Sequence, residues 1–319
     1  MWRTSAMRIV QAVPLLFIVS ALTFFLQLFI PGDAARAIGG LQASPQAIAA
    51  LRQRLHLNDP VWVRYWDWLK GAVHGNLGQS IINNQSVTGE LNQRLGVTLS
   101  VVIAATLFSV IIGVLLGMAS ARGGRATRAV AETASIAGMT IPAFWIGLLG
   151  IWIFSTQLGW LPANGYVFFG TSAGGWLRSL VLPVAALTFA GITVVAKQTR
   201  EQLDDVMSRD FVRNLRANGV SERSILLKHA LRHVSITVLT VASNNLIGLL
   251  GSAVIIEQLF GLPGLGSVAV TAASNGDLPV ILGVAMYFTL IVIALNLLLD
   301  LAIGWLNPQA VAACAGGAA

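Results

Sequence analysis

Charged residues are scarce in this chain: Asp, Glu, Lys and Arg together account for 10 % of its 319 residues. Soluble domains carry about a quarter of such residues, so the shortage excludes an ordinary water-soluble protein. Hydrophobic residues make up 55 %, and the mean hydropathy is +0.75. Several apolar runs reach about 20 residues, the length that a helix needs to cross the roughly 30 Å hydrocarbon core of a bilayer. The sequence therefore predicts an integral membrane protein.

Residues that perform chemistry are also few. Cys314 is the single cysteine, so no disulfide can form within the chain. The ATP-binding pattern GxxxxGK[ST] is absent, because none of the three lysines follows a glycine. His229 and His233 have the spacing of two zinc ligands, but Ala230 stands where an HExxH site has glutamate. We expect no catalytic residue, no metal site and no bound cofactor in this chain.

The apolar runs predict six transmembrane helices and an all-α fold, because a lipid-exposed backbone must satisfy its own hydrogen bonds. The predicted spans are 9–30, 97–120, 130–156, 180–197, 234–257 and 279–304. The first run is longer than the roughly 7–15 residues of a cleavable signal core, which favours a retained span. The small residues of "AARA" just beyond it leave cleavage open as an alternative.

These spans divide the chain into four predicted regions. They are an N-terminal segment with the first span (1–30), an extracytoplasmic segment (31–96), a core of five spans (97–306) and a flexible tail (307–319). The extracytoplasmic segment carries Trp62, Tyr65, Trp66 and Trp68 among basic residues, a pattern typical of amphipathic helices at a membrane surface. A small folded cap is the alternative, and the turn residues of "GNLGQS" favour it.

Lys and Arg residues orient the spans. They flank the first span, occupy the 121–129 connection and concentrate in the 198–233 loop, whereas the 258–278 loop has none. By the positive-inside rule, both termini and the 198–233 loop are cytoplasmic. The net charge of +7 therefore reflects membrane topology, and we expect no nucleic-acid partner.

The loop contains a basic insert at 208–232, "SRDFVRNLRANGVSERSILLKHALR". Ser208 is predicted to cap a short helix, which Gly219 ends because glycine alone adopts the left-handed conformation cheaply. Ser221 is predicted to cap a second helix that runs into span five. The charges fit a surface helix held by anionic lipid, and the glycine break fits a docking element for a partner. The residues alone leave both interpretations open.

Two asparagines, Asn244 and Asn245, lie near the middle of span five, where a polar side chain must face protein or water. They indicate either a solute path or hydrogen bonding between helices. Gly248 and Gly251 permit close approach of a neighbouring helix. An ion-coupled transporter is the rival class. Its relay groups normally lie deep in the membrane, but Glu257 lies near a span end, as do Glu132 and Asp300. Sodium held by carbonyl groups of a broken helix stays an alternative.

The basic insert resembles the cytoplasmic loop of permease subunits of ATP-binding-cassette importers, in the form carried by the dipeptide/oligopeptide/nickel group. Gly219 and Ala217 match the glycine of that loop and the small residue before it. Asn218 and Leu215 depart from it, because the family usually has a basic residue and an alanine there. Further similar stretches cover nearly the whole chain: "IPGDAA", "LHLNDPVWVRYWDWLKGAVHGNLGQS", "IPAFWIG", "EQLFGLPGLG" and "NLLLDLAIGWLNP".

The resemblance implies a multi-pass subunit of a bacterial inner membrane that forms half of a path for di- or oligopeptides, with nickel, glutathione or another small solute as alternatives. It implies several partners: a second, homologous permease, two ATP-binding subunits that use ATP and Mg, an extracytoplasmic solute-binding protein, and membrane lipid. The residues implied to dock the ATPase are Asp210, Phe211, Arg213, Leu215, Arg216, Ala217, Gly219, Ser221 and Arg223. The residues expected on the path or at its gate are Asn244, Asn245, Ser252, Glu257, Pro263, Gly264 and Gly266.

Overall fold

A computed structural model describes residues 2–26, 35, 43–54, 57–124, 129, 132–133, 138 and 140–306. These residues are almost entirely helical, and the extended structure among them is one isolated bridge between Gln79 and Ser86. The predicted all-α membrane fold is therefore confirmed. The predicted tail at 307–319 and most of the "IPGDAA" stretch lie outside the described residues.

Ten α-helices are named here in chain order. They are α1 (Trp2–Leu26), α2 (Pro45–Arg54), α3 (Val61–Val73), α4 (Val87–Arg122), α5 (Ala143–Gly150), α6 (Ala173–Ser208), α7 (Asp210–Ala217), α8 (Leu231–Leu259), α9 (Leu265–Asn275) and α10 (Leu278–Leu306). Wider π-helical turns extend α5 through Ile151–Gln157 and precede α8 at Ile225–Ala230. A single α-helical turn, Glu222–Ser224, leads into the second of these.

Four helical stretches in the described part of the chain are long and apolar enough to cross a membrane: Val87–Arg122, Ala173–Ser208, Glu222–Leu259 and Leu278–Gly304. They contain the second, fourth, fifth and sixth predicted spans. Two shorter apolar helices, Ala12–Leu26 and Ala143–Gln157, overlap the first and third predicted spans. The fourth span was predicted at 180–197, but the helix that contains it, α6, has 36 residues and keeps the buried Pro183 inside it. The total of six spans stays a prediction.

The chain forms two compact units. The first contains residues 99–262 and the C-terminal part from 295, and its centre is the packing of α6 along α8. Helix α4 approaches α6 closely at Gly113 and Gly117. A Cβ at Gly113 would lie 2.7 Å from a side-chain atom of Val195, and one at Gly117 would lie 2.8 Å from the carbonyl oxygen of Ala196. The two glycines therefore allow the backbones to meet.

The second unit contains residues 2–98 and 263–294. Tyr65 of α3 is buried against Phe24 of α1 and Leu282 of α10, and its hydroxyl lies 3.0 Å from Ser20 Oγ. Part of the predicted extracytoplasmic segment is thus packed into this unit, as expected for a folded cap. Trp66 nevertheless remains 52 % exposed, as expected for an aromatic at a membrane surface.

Candidate functional site: the basic insert and the polar groove

The basic insert folds as a helix, a tight break and a second helix. Helix α7 ends at Ala217, and Gly219 follows with a φ of +75°. The Val220 N–H donates to the Leu215 carbonyl at 3.1 Å, and the Gly219 N–H donates to the Arg216 carbonyl at 3.0 Å. These two bonds define a Schellman motif, which satisfies carbonyl groups that the helix end would leave free. The break predicted at Gly219 is therefore present.

The two predicted helix caps have different outcomes. Ser221 accepts a hydrogen bond from the Ser224 N–H at 3.4 Å and caps the second helix, as predicted. Ser208 does not cap α7, because it is the last residue of α6 and its hydroxyl donates to the Asp205 carbonyl at 2.7 Å. Arg209 occupies the cap position of α7 without a capping side-chain hydrogen bond, and its guanidinium instead donates to the Asp205 carboxylate at 2.7 Å. The prediction was wrong because α6 continues past the membrane-spanning stretch to Ser208.

One face of α7 is attached to the chain's own core. Val212 is fully buried, and Phe211 packs partly buried against a cluster where α6 ends and α8 begins. The cluster contains Leu203, Val206, Leu226, Ala230 and Val234. The Phe211 ring also lies 5.2 Å from the His233 ring. Because burying one such apolar side chain stabilises by about 1.5–3 kcal/mol, α7 is held firmly to α6 and α8.

The opposite face of α7 is exposed and charged. Arg213, Arg216, Ala217 and Gly219 are exposed, and so are Asp210, Ser221 and Arg223. Arg216 donates two hydrogen bonds to the Glu222 carboxylate, at 2.6 and 3.3 Å, across the Gly219 break. This bonding raises the pKa of Arg216 above its usual value. The pair therefore joins the two helices with a charged, bidentate contact.

The two histidines of the 198–233 loop have no third metal-binding side chain grouped with them among the described residues. His229 is half-buried, and His233 faces the Phe211 ring. Among the described residues, no three His, Cys, Asp or Glu side chains are grouped so that they hold a metal ion.

A groove with a volume of about 500 Å³ runs between α6 and α8 in the first unit. Asn244, Asn245 and Ser252 line it together, so the structure brings three of the predicted path residues to one place. Gln198 of α6 adds a fourth polar side chain that the sequence analysis had not singled out. Gly138, Ala190, Val194, Val241, Gly248 and Leu249 complete the described lining.

The other predicted gate residues lie elsewhere. Glu257 is fully buried near the end of α8 and does not line the groove. Pro263, Gly264 and Gly266 belong to the second unit, where they lead into and begin α9. There the Leu265 N–H donates to Thr98 Oγ1 at 2.8 Å. The predicted set is therefore divided among the groove, the end of α8 and the start of α9.

Two of the similar stretches named above meet in the first unit. Gly147 of "IPAFWIG" faces the end of α8, where a Cβ on it would lie 2.8 Å from Leu259 and 3.2 Å from Phe260. On another side of the same corner, the Gly165 N–H donates to the Phe260 carbonyl at 2.8 Å. The C-terminal end of α8 is thus contacted both by α5 and by the loop that contains Gly165.

Three structural features escaped the sequence analysis. Gly113 and Gly117 form a readable GxxxG pattern, the usual signal for close helix approach. Gly191 of α6 faces Ser109 of α4 and Asn245 of α8, and the Asn245 Nδ2 atom would lie 2.6 Å from an added Cβ. Its position in an unremarkable apolar run gave no signal.

The third feature is the hydrogen bond from Ser80 to the buried Asp277, at 2.5 Å, within the second unit. Asp277 also accepts the Ile81 N–H at 3.2 Å. Because these partners are far apart in sequence, no local pattern predicts their contact.

Comparison with protein families identifies the class. Residues 109–311 match the family of binding-protein-dependent transport system inner membrane components, and residues 1–102 match its N-terminal region. The chain belongs to this family. It is a multi-pass membrane permease of the importer type. Members of the family are the membrane components of transport systems and are not themselves catalytic. This membership confirms the resemblance and removes the ion-coupled rival.

Individual relatives agree with this class. A Brucella abortus protein named as a peptide transport system permease is 38 % identical over 304 residues, covering 95 % of this chain and 96 % of the relative. The glutathione transport system permease protein GsiC of Escherichia coli is 36 % identical over 302 residues, covering 94 % and 96 %. A chain of the MetNI methionine ABC transporter, solved in inward-facing conformations, shares the fold. It has a TM-score of 0.52 and 17 % identity, and the match covers 68 % of this chain and 96 % of that one.

Proposed function

We propose that this chain is one permease subunit of an ATP-driven importer and forms half of a path for di- and oligopeptides. Family membership supports the importer, and the Brucella abortus relative named for peptide transport supports the solute. Glutathione is a second candidate because GsiC, named for glutathione transport, is nearly as similar. Glutathione is itself a tripeptide, so both candidates belong to one chemical class.

The attachment of α7 to the ends of α6 and α8 is the observation that carries this proposal. A partner that pushes on the exposed face at Arg213, Arg216 and Gly219 would move a helix whose other face is buried at Val212. Since packed helices shift as rigid bodies, the displacement would pass into α6 and α8, which line the groove. The insert would thus convert motion of an ATPase into a change of the solute path.

The proposed partners follow from this mechanism. This chain has no phosphate-binding loop, so two separate subunits would bind and hydrolyse ATP with Mg. A second, homologous permease would supply the other half of the path. An extracytoplasmic binding protein would deliver the solute over the 31–96 and 258–278 segments.

The proposed orientation places both termini and the basic insert in the cytoplasm of a bacterial cell, at the inner membrane. The concentration of Lys and Arg in 198–233 supports it through the positive-inside rule. Exposed basic residues such as Lys228 and Arg232 would then lie near anionic lipid headgroups.

The docking role is tested by Gly219→Pro, because proline fixes φ near −65° and cannot adopt the observed +75°. We expect the variant to insert into the membrane and to lose co-purification with the partner ATPase subunits. Gly159→Pro is the matched control, since Gly159 also has a positive φ (+65°) and open space around it but lies outside the insert. Retention of the ATPase by Gly219→Pro would overturn the docking role.

A further inference from the structure

We propose that the groove between α6 and α8 is a binding site for the backbone of an extended peptide and does not select among side-chain charges. This inference rests on the proposed function and assigns the groove a ligand chemistry. Three properties of the groove carry it: its dimensions, its polar groups and the absence of charge from its described lining.

The dimensions fit a short extended peptide. The lining of α6 runs from Ala190 to Gln198, a rise of about 12 Å, and that of α8 from Val241 to Ser252, a rise of about 16 Å. An extended chain covers at most about 3.5 Å per residue, so about three to five residues span the groove. Its volume of about 500 Å³ lies within the roughly 300–1,000 Å³ of small-molecule sites.

The polar groups match peptide amides. Gln198, Asn244 and Asn245 each carry a carbonyl oxygen and an NH₂ group, and Ser252 carries a hydroxyl, so every polar side chain of the described lining can donate and accept. A peptide backbone presents the same two functions at each residue. The complementarity therefore lies in the repeating part of the solute rather than in its side chains.

Asn245 shows an unmet hydrogen-bonding capacity at this site. Its Nδ2 atom is buried and has no partner among the described residues. Buried polar groups are nearly always paired in folded proteins, so an exception in a structure calls for a specific explanation. This atom lies against Gly191, and a rotation of the Asn245 amide away from that contact would present the donor to an acceptor of a solute in the groove.

Charge is absent from the described lining of the groove, although the chain has a net charge of +7. A fixed Lys, Arg, Asp or Glu would attract one class of peptide and repel another. A neutral amide lining instead admits acidic and basic peptides alike, and leaves selection by charge to the protein that delivers them.

Gly248 allows a steric test with a matched control. It lies in the groove lining, and among the described residues nothing lies within 4 Å of a Cβ placed on it. Gly251 has the same open surroundings one turn along α8 but is not part of the lining. The first atom of a side chain therefore meets no described residue at either position, yet only Gly248→Leu places its side chain in the groove.

The experiment measures ATP-driven uptake of Ala-Ala-Ala, Ala-Glu-Ala and Ala-Lys-Ala by the assembled transporter in vesicles. We expect Gly248→Leu to reduce uptake of all three by about tenfold or more, as steric exclusion from a shaped pocket does, and Gly251→Leu to stay near wild type. Unchanged uptake with Gly248→Leu would overturn the proposal. So would loss of subunit assembly in that variant, because the groove would then be a seam between permeases.

A charge placed in the groove provides the second arm. Asn244 is exposed in the lining, so Asn244→Asp adds a carboxylate without burying it. We expect the ratio of Ala-Lys-Ala to Ala-Glu-Ala uptake to rise about tenfold over wild type, through attraction and repulsion across a partly hydrated groove. The delivering protein is the same in both samples, so its selectivity cancels.

An unchanged ratio in Asn244→Asp, with wild-type uptake intact, would overturn this inference and leave the proposed function standing. No ATP-driven uptake of any peptide by the wild type would refute the proposed function, and the inference with it.

Discussion

The basic insert and the polar groove are built in different ways. The insert owes its shape to neighbouring residues: the Schellman motif at Gly219, the Ser221 cap and the Arg216–Glu222 pair all join groups within a few positions. The groove owes its shape to helices far apart in sequence, which meet at residues without side chains, such as Gly191. Local chemistry therefore specifies the part proposed to receive force, and tertiary packing specifies the part proposed to hold the solute.

Val212→Asp should have the largest effect of these substitutions. The insert takes its shape from neighbouring residues, but its attachment to α6 and α8 depends on burial of Val212. An uncompensated charge at this fully buried site should cost about 3–5 kcal/mol. We expect α7 to detach from α6 and α8, seen as fast amide hydrogen exchange over 210–220. The exposed neighbour Asn214→Asp should leave exchange unchanged. Slow exchange in Val212→Asp would show that the local motifs alone hold α7 in place.

Gly191→Ala tests the groove side of the contrast. The new methyl group would meet Ser109 and Asn245 within van der Waals distance, and overpacking of this kind costs about 1–3 kcal/mol. We expect a lower thermal unfolding temperature of the detergent-solubilised protein. Gly248→Ala is the control, since no described residue lies within 4 Å of its added Cβ. Equal unfolding temperatures for the two variants would contradict the tight crossing of α4, α6 and α8.

Gly219→Ala tests how much the Schellman motif contributes to the stability of the break between the two helices of the insert. An L-residue in the left-handed conformation costs about 1–2 kcal/mol, and the φ of +75° at Gly219 lies in that region. We expect faster exchange at the Val220 amide, which donates to Leu215, with the protein still assembled in the membrane. Gly124→Ala, whose new Cβ meets no described residue within 4 Å and whose φ is not positive, should have no such effect.

Glu222→Gln should have the smallest effect. It removes the ionic part of an exposed pair with Arg216, and such surface pairs contribute little. We expect the variant to be slightly more mobile around Gly219 than the wild type, measured from the line width of a probe at Ala217. This difference between the two proteins should disappear in high salt, which screens the pair in the wild type. A large effect at all salt concentrations would mean that the pair is a main support of the break.

Much of the fold was predictable from the sequence because lipid leaves few choices. A run of about 20 apolar residues must be a helix, and the four long spanning helices coincide with predicted runs. The ends of the helices were less predictable: α6 continues to Ser208, because α-helical hydrogen bonding does not stop where the membrane does. Hydropathy detects the lipid boundary and carries no signal for the helix boundary.

For the candidate site, the sequence by itself determined the conformation of the insert and the polar character of α8, since glycine, serine and asparagine act through their own backbone and side chains. Only the tertiary structure decided that Gln198 joins Asn244, Asn245 and Ser252, and that Glu257 does not. Only the tertiary structure shows that Gly191 is the position where α6 contacts α4 and α8. The physical reason is that a groove consists of the space between elements, and that space depends on the distances and rotations at which helices pack.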